Sequence, residues 1–397
     1  MSMNTPYFLI HEELLKKNTD SFFNALTAEW ENSQLCYSVK TNSLPWLISY
    51  MNKQKVFAEV VSDEEYALAL AQGFTDRHIV FNGPIKGESY FIRALEEGAI
   101  INLDSKRDIE YLLRHRQVIA APDRIGIRVN IPSSIFDEAD IGYSGNGFRF
   151  GFSTETGEFQ GVVSKIQEMF PGAGFGLHLH VNSVTRSLNV YQAVAQYAAQ
   201  LIEEYHLKVS FIDIGGGFFF FFLGKPTPTA YIQTIRGALE DVIDCEKVTL
   251  YVEPGSAIIG STTDLVTTVL DTKETSLACI VTTDGSRIHI DPLWKKNRYR
   301  YAIMPNEKRL PTSTKKQVIC GYTCMDYDRI MSLDDERILQ PGDQIVYQRV
   351  GAYTMTFGGA FIRYLPEVYV ESNGELLCVR SEMSVKDYIA LHSNNRS

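Results

Sequence analysis

Residues 36–72 read CYSVKTNSLPWLISYMNKQKVFAEVVSDEEYALALAQ, and in this stretch short apolar runs alternate with longer amphipathic ones. The runs 36–39 and 57–61 have the length and composition of buried strands, whereas 44–51 and 62–72 repeat apolar residues at helical spacing. Alternating strand and helix predicts a parallel sheet whose strands are joined by helical crossovers.

The alternation continues through most of the chain. Further strands are predicted at 78–81, 99–102, 125–130, 176–181, 209–214 and 249–253, with helices at 86–97, 106–114 and 188–205. About eight such units in roughly 230 residues predict an α/β fold, a (β/α)8 TIM-type barrel. Such barrels carry their active sites at the carboxyl ends of the strands, so polar residues at those ends are candidates for chemistry.

Beyond about residue 261 the sequence changes to β-branched runs separated by turn residues. The runs 265–271, 277–283, 287–291, 317–320, 343–350 and 367–370 predict a mostly antiparallel β domain. The opening run 7–11 could be a further strand of that domain. We therefore expect a barrel at 15–262 and a β domain formed by 1–14 and 263–397.

Composition limits the classes of partner. The chain has 397 residues, 45% of them apolar, and a formal net charge of -10. The sequence has no stretch rich in Lys and Arg, so nucleic acid and anionic membrane surfaces are poor candidates for partners. The sequence has neither the basic and apolar regions of a signal peptide nor an apolar run long enough to cross a bilayer. We expect a cytoplasmic protein that acts on a small molecule.

Three separate features suit pyridoxal phosphate. They are Lys40, the glycine triplet Gly215, Gly216 and Gly217, and Glu253 before Pro254 and Gly255. An amine can form a Schiff base with the aldehyde, the N–H groups of a glycine turn can hold the phosphate, and a carboxylate can keep the ring nitrogen protonated. Alone, each is more often a salt-bridged lysine or an ordinary turn. Together they predict pyridoxal phosphate as the cofactor.

The order of the motifs points to a family. The chain contains, in sequence, Tyr37-Ser-Val-Lys-Thr-Asn42, Glu59-Val-Val-Ser-Asp-Glu-Glu65, Asn82-Gly-Pro-Ile-Lys86, His180-Val-Asn-Ser183, Asp213-Ile-Gly-Gly-Gly-Phe218, Glu253-Pro-Gly255, Cys324 followed by Asp328, and Gly351-Ala-Tyr-Thr354. With these motifs it resembles the fold-type III pyridoxal-phosphate decarboxylases, the family of ornithine, arginine and diaminopimelate decarboxylases. The resemblance implies a lyase of amino-acid metabolism.

The resemblance also implies roles for individual residues. Lys40 would carry the cofactor, Glu253 would pair with its ring nitrogen and His180 would stack on its ring. The phosphate would be held by Ser183, Gly215, Gly216, Gly217 and Tyr353. Cys324 would come from the β domain of a second subunit and return a proton to the substrate carbon, so that the catalytic unit would be a homodimer with shared active sites.

Three departures from the family pattern concern the substrate. In diaminopimelate decarboxylases an arginine follows Glu-Pro-Gly, but here Ser256 does; an arginine before a proline is matched here by Asp291; and Met325 replaces the acid after the cysteine. These departures predict the decarboxylation of a biosynthetic amino acid with an unusual or enlarged side chain. Substrate candidates are Ser256, Asp284, Asp291, Met325 and Asp326, while Arg287, Lys295 and Lys296 could instead meet an acid.

Other functions stay open. The substrate could be ornithine, lysine or diaminopimelate, or the chain could be an inactive binding or regulatory member of the family. His178 and His180 alternate along a strand, as in metal-dependent barrel hydrolases, but the other histidines supply no obvious further ligands, and we expect no metal. The five phenylalanines 218–222 could pack under the barrel rim or line a wall beside the phosphate loop.

Overall fold

The computed structural model describes residues 3–142, 146–219, 224–306, 315–334 and 337–393. The chain divides into two compact units, Asn18–Ile258 and Met1–Lys17 with Ile259–Ser397. Strand β1 (Tyr7–His11) and helix α1 (Glu12–Glu29) come first in the chain. Within the described ranges, no helix combines the length and the apolar character needed to cross a membrane.

The unit Asn18–Ile258 contains a closed parallel barrel. Its strands, with one short additional strand β7, are β2 (Ser33–Ser38), β3 (Phe57–Val60), β4 (Ile79–Phe81), β5 (Ile100–Leu103), β6 (Ile125–Asn130), β7 (Phe152–Ser153), β8 (Phe175–His178), β9 (Val209–Asp213) and β10 (Thr249–Val252). The order β5-β4-β3-β2-β10-β9-β8-β6 closes because β6 also pairs with β5. The predicted eight-stranded barrel is confirmed.

Helices connect these strands. They are α2 (Pro45–Lys53), α3 (Asp63–Ala71), α4 (Glu88–Glu97), α5 (Lys106–Arg114), α6 (Glu158–Met169), α7 (Leu188–Glu204), α8 (Pro228–Leu239) and α9 (Ser256–Ile259), with 3-10 turns at Val39–Thr41, Asp76–His78, Arg116–Val118, Pro122–Arg124 and Ser133–Ile135. Several begin at a capping serine: the hydroxyls of Ser62, Ser105 and Ser187 accept backbone N–H groups of the first turns of α3, α5 and α7. These caps fix where each helix starts.

Several barrel strands end one to three residues earlier than the sequence predicts, and two of these precede candidate site residues. The strand predicted at 36–39 ends at Ser38, and Lys40 lies in the 3-10 turn Val39–Thr41. The strand predicted at 176–181 ends at His178, so His180 lies in the following loop. Both side chains therefore stand just beyond a carboxyl strand end, which is the active-site end of such barrels.

A phenylalanine ring fills part of the barrel core. Phe211 packs in a buried cluster with Cys36, Val80, Ile100 and Tyr251. On the neighbouring strands two glycines make room for the ring, because a Cβ atom would lie 2.0 Å from it at Gly176 and 2.8 Å at Gly126. Any larger side chain at Gly176 must displace the ring.

The other unit is built on a mostly antiparallel sheet. After β1 it contains β11 (Thr263–Glu274), β12 (Cys279–Thr283), β13 (Arg300–Met304), β14 (Gln317–Cys320), β15 (Arg329–Leu333), β16 (Gln344–Gln348), β17 (Glu367–Ser372) and β18 (Glu375–Arg380), with helices α10 (Arg287–Ile290) and α11 (Val385–His392). Strand β1 pairs antiparallel with β11 and parallel with β17. The opening run, which the sequence left open, is therefore a strand of this sheet.

The strand predicted at 287–291 is wrong, because these residues form helix α10. Its apolar and β-branched residues favour a strand by propensity alone. However, the hydroxyl of Ser286 accepts the N–H of Ile288 at 3.2 Å, and Arg287 pairs with Asp291 across one helical turn at 3.0 Å. The cap and the ion pair stabilise a helical turn here, and their effect outweighs the strand propensity of these residues.

We predict that Gly176→Ala destabilises the protein by about 1–3 kcal/mol, since the added Cβ forces the Phe211 ring to move within a packed core. The free energy of urea unfolding measures the effect. Gly161→Ala is the matched control, because a Cβ at this position in α6 meets nothing within 4 Å, and the change should be neutral or stabilising by up to about 1 kcal/mol. Equal unfolding midpoints for Gly176→Ala and the wild type would contradict the steric argument.

Candidate active site

Lys40 is anchored by a buried carboxylate. Its Nζ lies 2.7 Å from Oε2 and 3.0 Å from Oε1 of Glu59, a residue of β3. Ser38 donates a second hydrogen bond of 2.6 Å to Oε2. The Lys40 side chain is 40% exposed, whereas that of Glu59 is 1% exposed. The amine is thus held in one place and still accessible.

The ionisation of Glu59 depends on these partners. Burial would raise its pKa, but the Lys40 charge and the hydrogen bonds from Lys40, Ser38 and Asn82 together hold the pKa below its usual value. Glu59 is therefore a carboxylate at neutral pH. It is a hydrogen-bond acceptor and base within reach of Lys40 Nζ.

Two asparagines connect Glu59 to a deeper pair of acids. Asn82 donates to Glu59 at 3.2 Å and to Glu253 at 2.6 Å. Asn102 donates to Asn82 Oδ1 at 2.8 Å and to Asp213 at 3.0 Å. The two side-chain amides therefore link three buried carboxyl groups at the carboxyl ends of the barrel strands.

The deeper acids retain protons more strongly than usual. Burial, together with the nearby charges of Asp213 and Glu59, raises the pKa of Glu253 well above its usual value. Burial also raises the pKa of Asp213 to about 6. Because two like charges in one buried site repel, Glu253 holds a proton beside Asp213 at neutral pH.

His178 completes this buried group. Burial, and secondarily the charge of Arg128, lowers its pKa well below the usual value, so the ring is neutral. Among the residues that the structure describes, neither ring nitrogen has a hydrogen-bond partner, and Nε2 lies 3.9 Å from Oε2 of Glu253. His178, Asp213 and Glu253 place potential ligand atoms within 4.8 Å of one another, a geometry that could also hold a metal ion. His180, the second histidine of the metal hypothesis, is outside this set.

His180 lies against the glycine turn. The N–H of Gly216 donates to Nδ1 of His180 at 3.3 Å, and a Cβ at Gly215 would lie 2.5 Å from the ring. Burial, followed by the charges of Arg128 and Lys40, lowers the pKa of His180 to about 3. The ring is therefore neutral, with its proton on Nε2 because Nδ1 accepts.

The same turn contacts Glu253 through its backbone. The N–H of Glu253 donates to the carbonyl of Gly215 at 2.7 Å, and a Cβ at Gly216 would lie 2.4 Å from the carbonyl oxygen of Glu253. Gly215 and Gly217 have φ values of 69° and 90°, which favour glycine. The structure thus brings together Lys40, Glu253, His180 and the three glycines.

Ser183 and Ser256 share one neighbour, Arg186. The hydroxyl of Ser183 donates to the carbonyl of Asp140 at 3.0 Å and accepts the N–H of Arg186 at 2.9 Å. Nη1 of Arg186 lies 3.3 Å from the carbonyl oxygen of Phe218 and 3.5 Å from Oγ of Ser256. The sequence analysis assigned no role to Arg186, although it follows the His180–Ser183 motif by three residues.

The beginning of the phenylalanine run packs into the barrel unit. Phe218 is buried, and its ring centroid lies 4.8 Å from that of Tyr191 and 5.1 Å from that of Tyr231. Phe219 lies beside two cationic side chains, those of Arg186 and Lys225. Residues 220–222 of the predicted run lie outside the described residues. For Phe218 the packing interpretation is confirmed.

A cavity of about 490 Å³ opens beside His180. Its lining includes Arg128, Arg149 and Phe150, and the two guanidinium groups lie 4.5 and 4.6 Å from the centroid of the Phe150 ring. This is enough space for a small organic ligand.

The β domain carries the remaining candidates. The Cys324 thiol is exposed, as is Asp326, while Met325 is half-buried. Buried Asp328 accepts from the hydroxyls of Ser286 at 3.0 Å and Thr323 at 2.7 Å, which orders the loop that carries Cys324. Elsewhere in this domain, Tyr353 is 44% exposed and has a φ of 57°.

Asp284 and Asp291 are both buried. Asp284 accepts from the N–H of Thr268 at 2.7 Å, and Asp291 accepts from Arg287 and from the N–H of Lys296 at 2.7 Å. Their carboxylates therefore already have partners within the β domain. A contact of either residue with substrate stays a prediction.

The barrel residues fit pyridoxal phosphate. Lys40 offers an accessible amine, and the glycine turn packs so closely on His180 and Glu253 that a Cβ at Gly215 or Gly216 would collide with them. In the described part of the chain, the buried atoms without a hydrogen-bond partner include Oδ1 of Asn102, a member of the network, and both ring nitrogens of the nearby His178. A heteroaromatic ring with an anionic group suits this combination of donors and acceptors.

Sequence reasoning gave Glu59, Asn82, Asn102 and Asp213 no site role. A signal for them was present, since each is a polar residue at or beside the carboxyl end of an apolar barrel strand. Which of them bond to one another depends on strand order, and this could not be derived from the pattern alone.

We predict that Asp213→Asn changes how stability depends on pH. The folded protein binds a proton at Asp213 with a pKa of about 6, against an ordinary 3.8, so ionisation of Asp213 lowers stability progressively as pH rises from about 4 to 6. Asparagine cannot ionise. Urea unfolding of the ligand-free protein should show the stability of the variant rising relative to wild type by roughly 2–3 kcal/mol between pH 4 and pH 8.

Any hydrogen bond that the asparagine loses contributes a difference that does not vary with pH. The exposed substitution Asp137→Asn is the control, and its difference from wild type should stay within about 0.5 kcal/mol over the same range. If the difference in unfolding free energy between Asp213→Asn and wild type does not vary with pH, the pKa of Asp213 is not raised in the folded protein.

Comparison with known proteins identifies the family. Residues 15–260, more than half of the chain, match the family model described as the pyridoxal-binding domain of pyridoxal-dependent decarboxylases. The curated relatives include diaminopimelate decarboxylases of Aquifex aeolicus, 24% identical with 98% of this chain and 91% of the relative covered, and of Helicobacter pylori, 26% identical with 88% and 85% covered.

Solved structures agree on the fold. Diaminopimelate decarboxylase from M. jannaschii in complex with L-lysine superposes with a TM-score of 0.82 at 20% identity, covering 99% of this chain and 93% of that one. An arginine decarboxylase of Paramecium bursaria Chlorella virus gives 0.71 at 19% identity, with 89% and 91% covered. The family match argues against the metal-dependent hydrolase alternative. The chain belongs to the pyridoxal-dependent decarboxylases, and its cofactor is pyridoxal phosphate.

Proposed function

We propose that this decarboxylase acts on diaminopimelate, and that the barrel residues described above hold its cofactor. The observation that carries the site assignment is the continuous hydrogen-bonded chain from Lys40 Nζ through Glu59 and Asn82 to Glu253. It connects the amine that would bind the cofactor aldehyde to the acid that would face its ring nitrogen.

Each residue would contribute a separate function. When bound, the cofactor accepts the electron pair released as CO₂ leaves. Glu59 holds Lys40 Nζ in place through hydrogen bonds of 2.7 and 3.0 Å, and Lys40 must lose a proton before it acts as a nucleophile. Glu253 would hold a proton at a carboxyl oxygen for the ring nitrogen. The neutral ring of His180 would cover the cofactor ring without adding charge. Ser183, the glycine turn and Tyr353 would hold the phosphate.

Diaminopimelate is supported by the names of the relatives. Several curated relatives bear the name diaminopimelate decarboxylase, and they align over most of their length. They therefore favour one alternative of the sequence analysis over its main expectation, an amino acid with an unusual or enlarged side chain.

An amino acid with a different far end is the second candidate. Ser256, Asp291 and Met325 replace an arginine, an arginine and an acid, and Asp291 is itself bound by Arg287 at 3.0 Å. An enzyme that lacks a buried polar partner for a substrate group can lose about 10⁴-fold in specificity for that substrate. We infer that the choice between these two substrate candidates depends on how the site binds the distal carboxylate and amine.

We also propose that the protein is cytoplasmic. We further propose a homodimer in which Cys324 acts in the site of the partner subunit. Two features support the homodimer: the Cys324 thiol is exposed, and Asp328 orders the loop of Cys324 from within the β domain. In this arrangement the thiol would pass its proton from Sγ to the substrate carbon after CO₂ leaves.

The substrate assignment predicts CO₂ release from meso-diaminopimelate with kcat/KM at or above about 10⁴ M⁻¹s⁻¹. The assay should also include LL-diaminopimelate, ornithine, lysine, arginine and carboxynorspermidine. Lys40→Ala should abolish release, whereas Lys106→Ala, an exposed lysine of α5, should leave it unchanged. Turnover of a larger amino acid with none of diaminopimelate would favour the second candidate, and a cofactor-loaded protein that decarboxylates no amino acid would refute the function.

The dimer proposal predicts complementation. Lys40→Ala and Cys324→Ala proteins should each be inactive, but mixed after subunit exchange they should regain about a quarter of wild-type activity, because half of the dimers contain one intact site of two. Cys378→Ala, another exposed cysteine of the β domain, is the control and should keep full activity. Proven heterodimers without regained activity would rule out shared sites.

A further inference from the structure

Arg186 has an unusual backbone conformation that neighbouring side chains hold in place. Its φ of 50° lies in the left-handed region, which costs a residue with a Cβ about 1–2 kcal/mol. The hydroxyl of Ser183 accepts its N–H at 2.9 Å, and the hydroxyl of Tyr231 donates to its carbonyl at 2.6 Å. These contacts fix the direction in which the side chain leaves the backbone.

The guanidinium of Arg186 retains donor capacity. In the described part of the chain its hydrogen bonds are two long ones from Nη1, to Phe218 at 3.3 Å and Ser256 at 3.5 Å, and no carboxylate lies within ion-pair distance. A guanidinium carries five N–H donors. A half-buried cation without an acidic partner is suited to an anion supplied by a ligand.

This cation also lies close to three segments of the expected phosphate site. Phe218 directly follows the glycine turn, Ser183 contacts Arg186 through its hydroxyl, and Ser256 directly follows Gly255. Three segments of the expected phosphate site therefore meet at one arginine. Ser256 also occupies the position at which diaminopimelate decarboxylases have an arginine. The chain lacks a cation at 256 and carries one at 186 that reaches the same place.

We propose that Arg186 binds the phosphate group of pyridoxal phosphate, from a position beside the Ser256 hydroxyl and the end of the glycine turn. This inference rests on the proposed assignment of the glycine turn to the phosphate. A planar guanidinium can meet two phosphate oxygens, and such charge-assisted hydrogen bonds are about twice as strong as neutral ones. Backbone N–H groups of the turn and the hydroxyl of Ser183 then need to neutralise only part of the anion.

The test compares two ligands that differ only in the phosphate. Cofactor-free protein is titrated with pyridoxal phosphate and with pyridoxal, and the absorbance of the Schiff base reports binding without any substrate. Arg186→Gln should weaken binding of pyridoxal phosphate about 10- to 100-fold, the loss expected for one charged hydrogen-bonding partner, and change that of pyridoxal less than about twofold. Arg186→Lys should lose less than Arg186→Gln.

Two further variants separate charge from structure. Lys225→Gln removes the other cation beside the Phe219 ring and should leave the affinity for pyridoxal phosphate within about twofold of wild type. Adding Ser256→Arg to Arg186→Gln should restore much of the lost affinity, because it returns a guanidinium to the same region. Thermal unfolding checks that each variant is folded.

The outcomes separate this inference from the proposed function. If the wild type takes up no pyridoxal phosphate, both fail. If the wild type binds it and Arg186→Gln binds it equally well, only the role of Arg186 fails. Equal losses for pyridoxal and pyridoxal phosphate would mean that Arg186 is structural, and would overturn the proposal.

Discussion

The barrel's chemistry depends on keeping three buried carboxyl groups together. Glu59, Asp213 and Glu253 lie close to one another out of water, where like charges repel strongly. The amides of Asn82 and Asn102 bridge them, Lys40 neutralises Glu59, and a proton stays on Glu253. Each acid is therefore tolerated in a different way: Glu59 by pairing, Glu253 by protonation, and Asp213 by hydrogen bonds from Asn102 and Gly215. In the proposed assignment, a cofactor with a basic ring nitrogen would enter a site that already holds a proton on Glu253.

Much of this arrangement could be predicted from sequence, and the limits have physical causes. Periodicity gives the barrel strands because each is a short apolar run between amphipathic helices, and the motifs give Lys40, His180 and Glu253. The pairing of Asn102 with Asp213 spans 111 residues and depends on which strands are neighbours. The helix at Arg287–Ile290 depends on one hydroxyl and one ion pair, which strand propensity does not register.

The candidate residues of the β domain differ from those of the barrel unit in how their charges are used. In the barrel unit, the guanidinium of Arg186 makes only long hydrogen bonds, to Phe218 and Ser256, and has no carboxylate partner among the described residues. In the β domain, Asp284 and Asp291 are engaged by local donors. Ser256 and Asp291 each stand where related decarboxylases have an arginine, but the two replacements differ. In the barrel unit, Arg186 reaches Ser256. In the β domain, Asp291 is bound by Arg287 and by the N–H of Lys296.

The packing of Phe211 limits how the barrel can diverge. Gly126 pairs with Gly176, and Gly176 pairs with Phe211, on three adjacent strands. The ring occupies the volume that a side chain at 176 would otherwise fill, while a Cβ at Gly126 would meet both Asn102 Oδ1, at 2.2 Å, and the ring, at 2.8 Å. Homologues with a side chain at 176 should accordingly carry a small residue at 211. Substitutions at these positions would then occur together, and alignments could detect them as covariation across β6, β8 and β9.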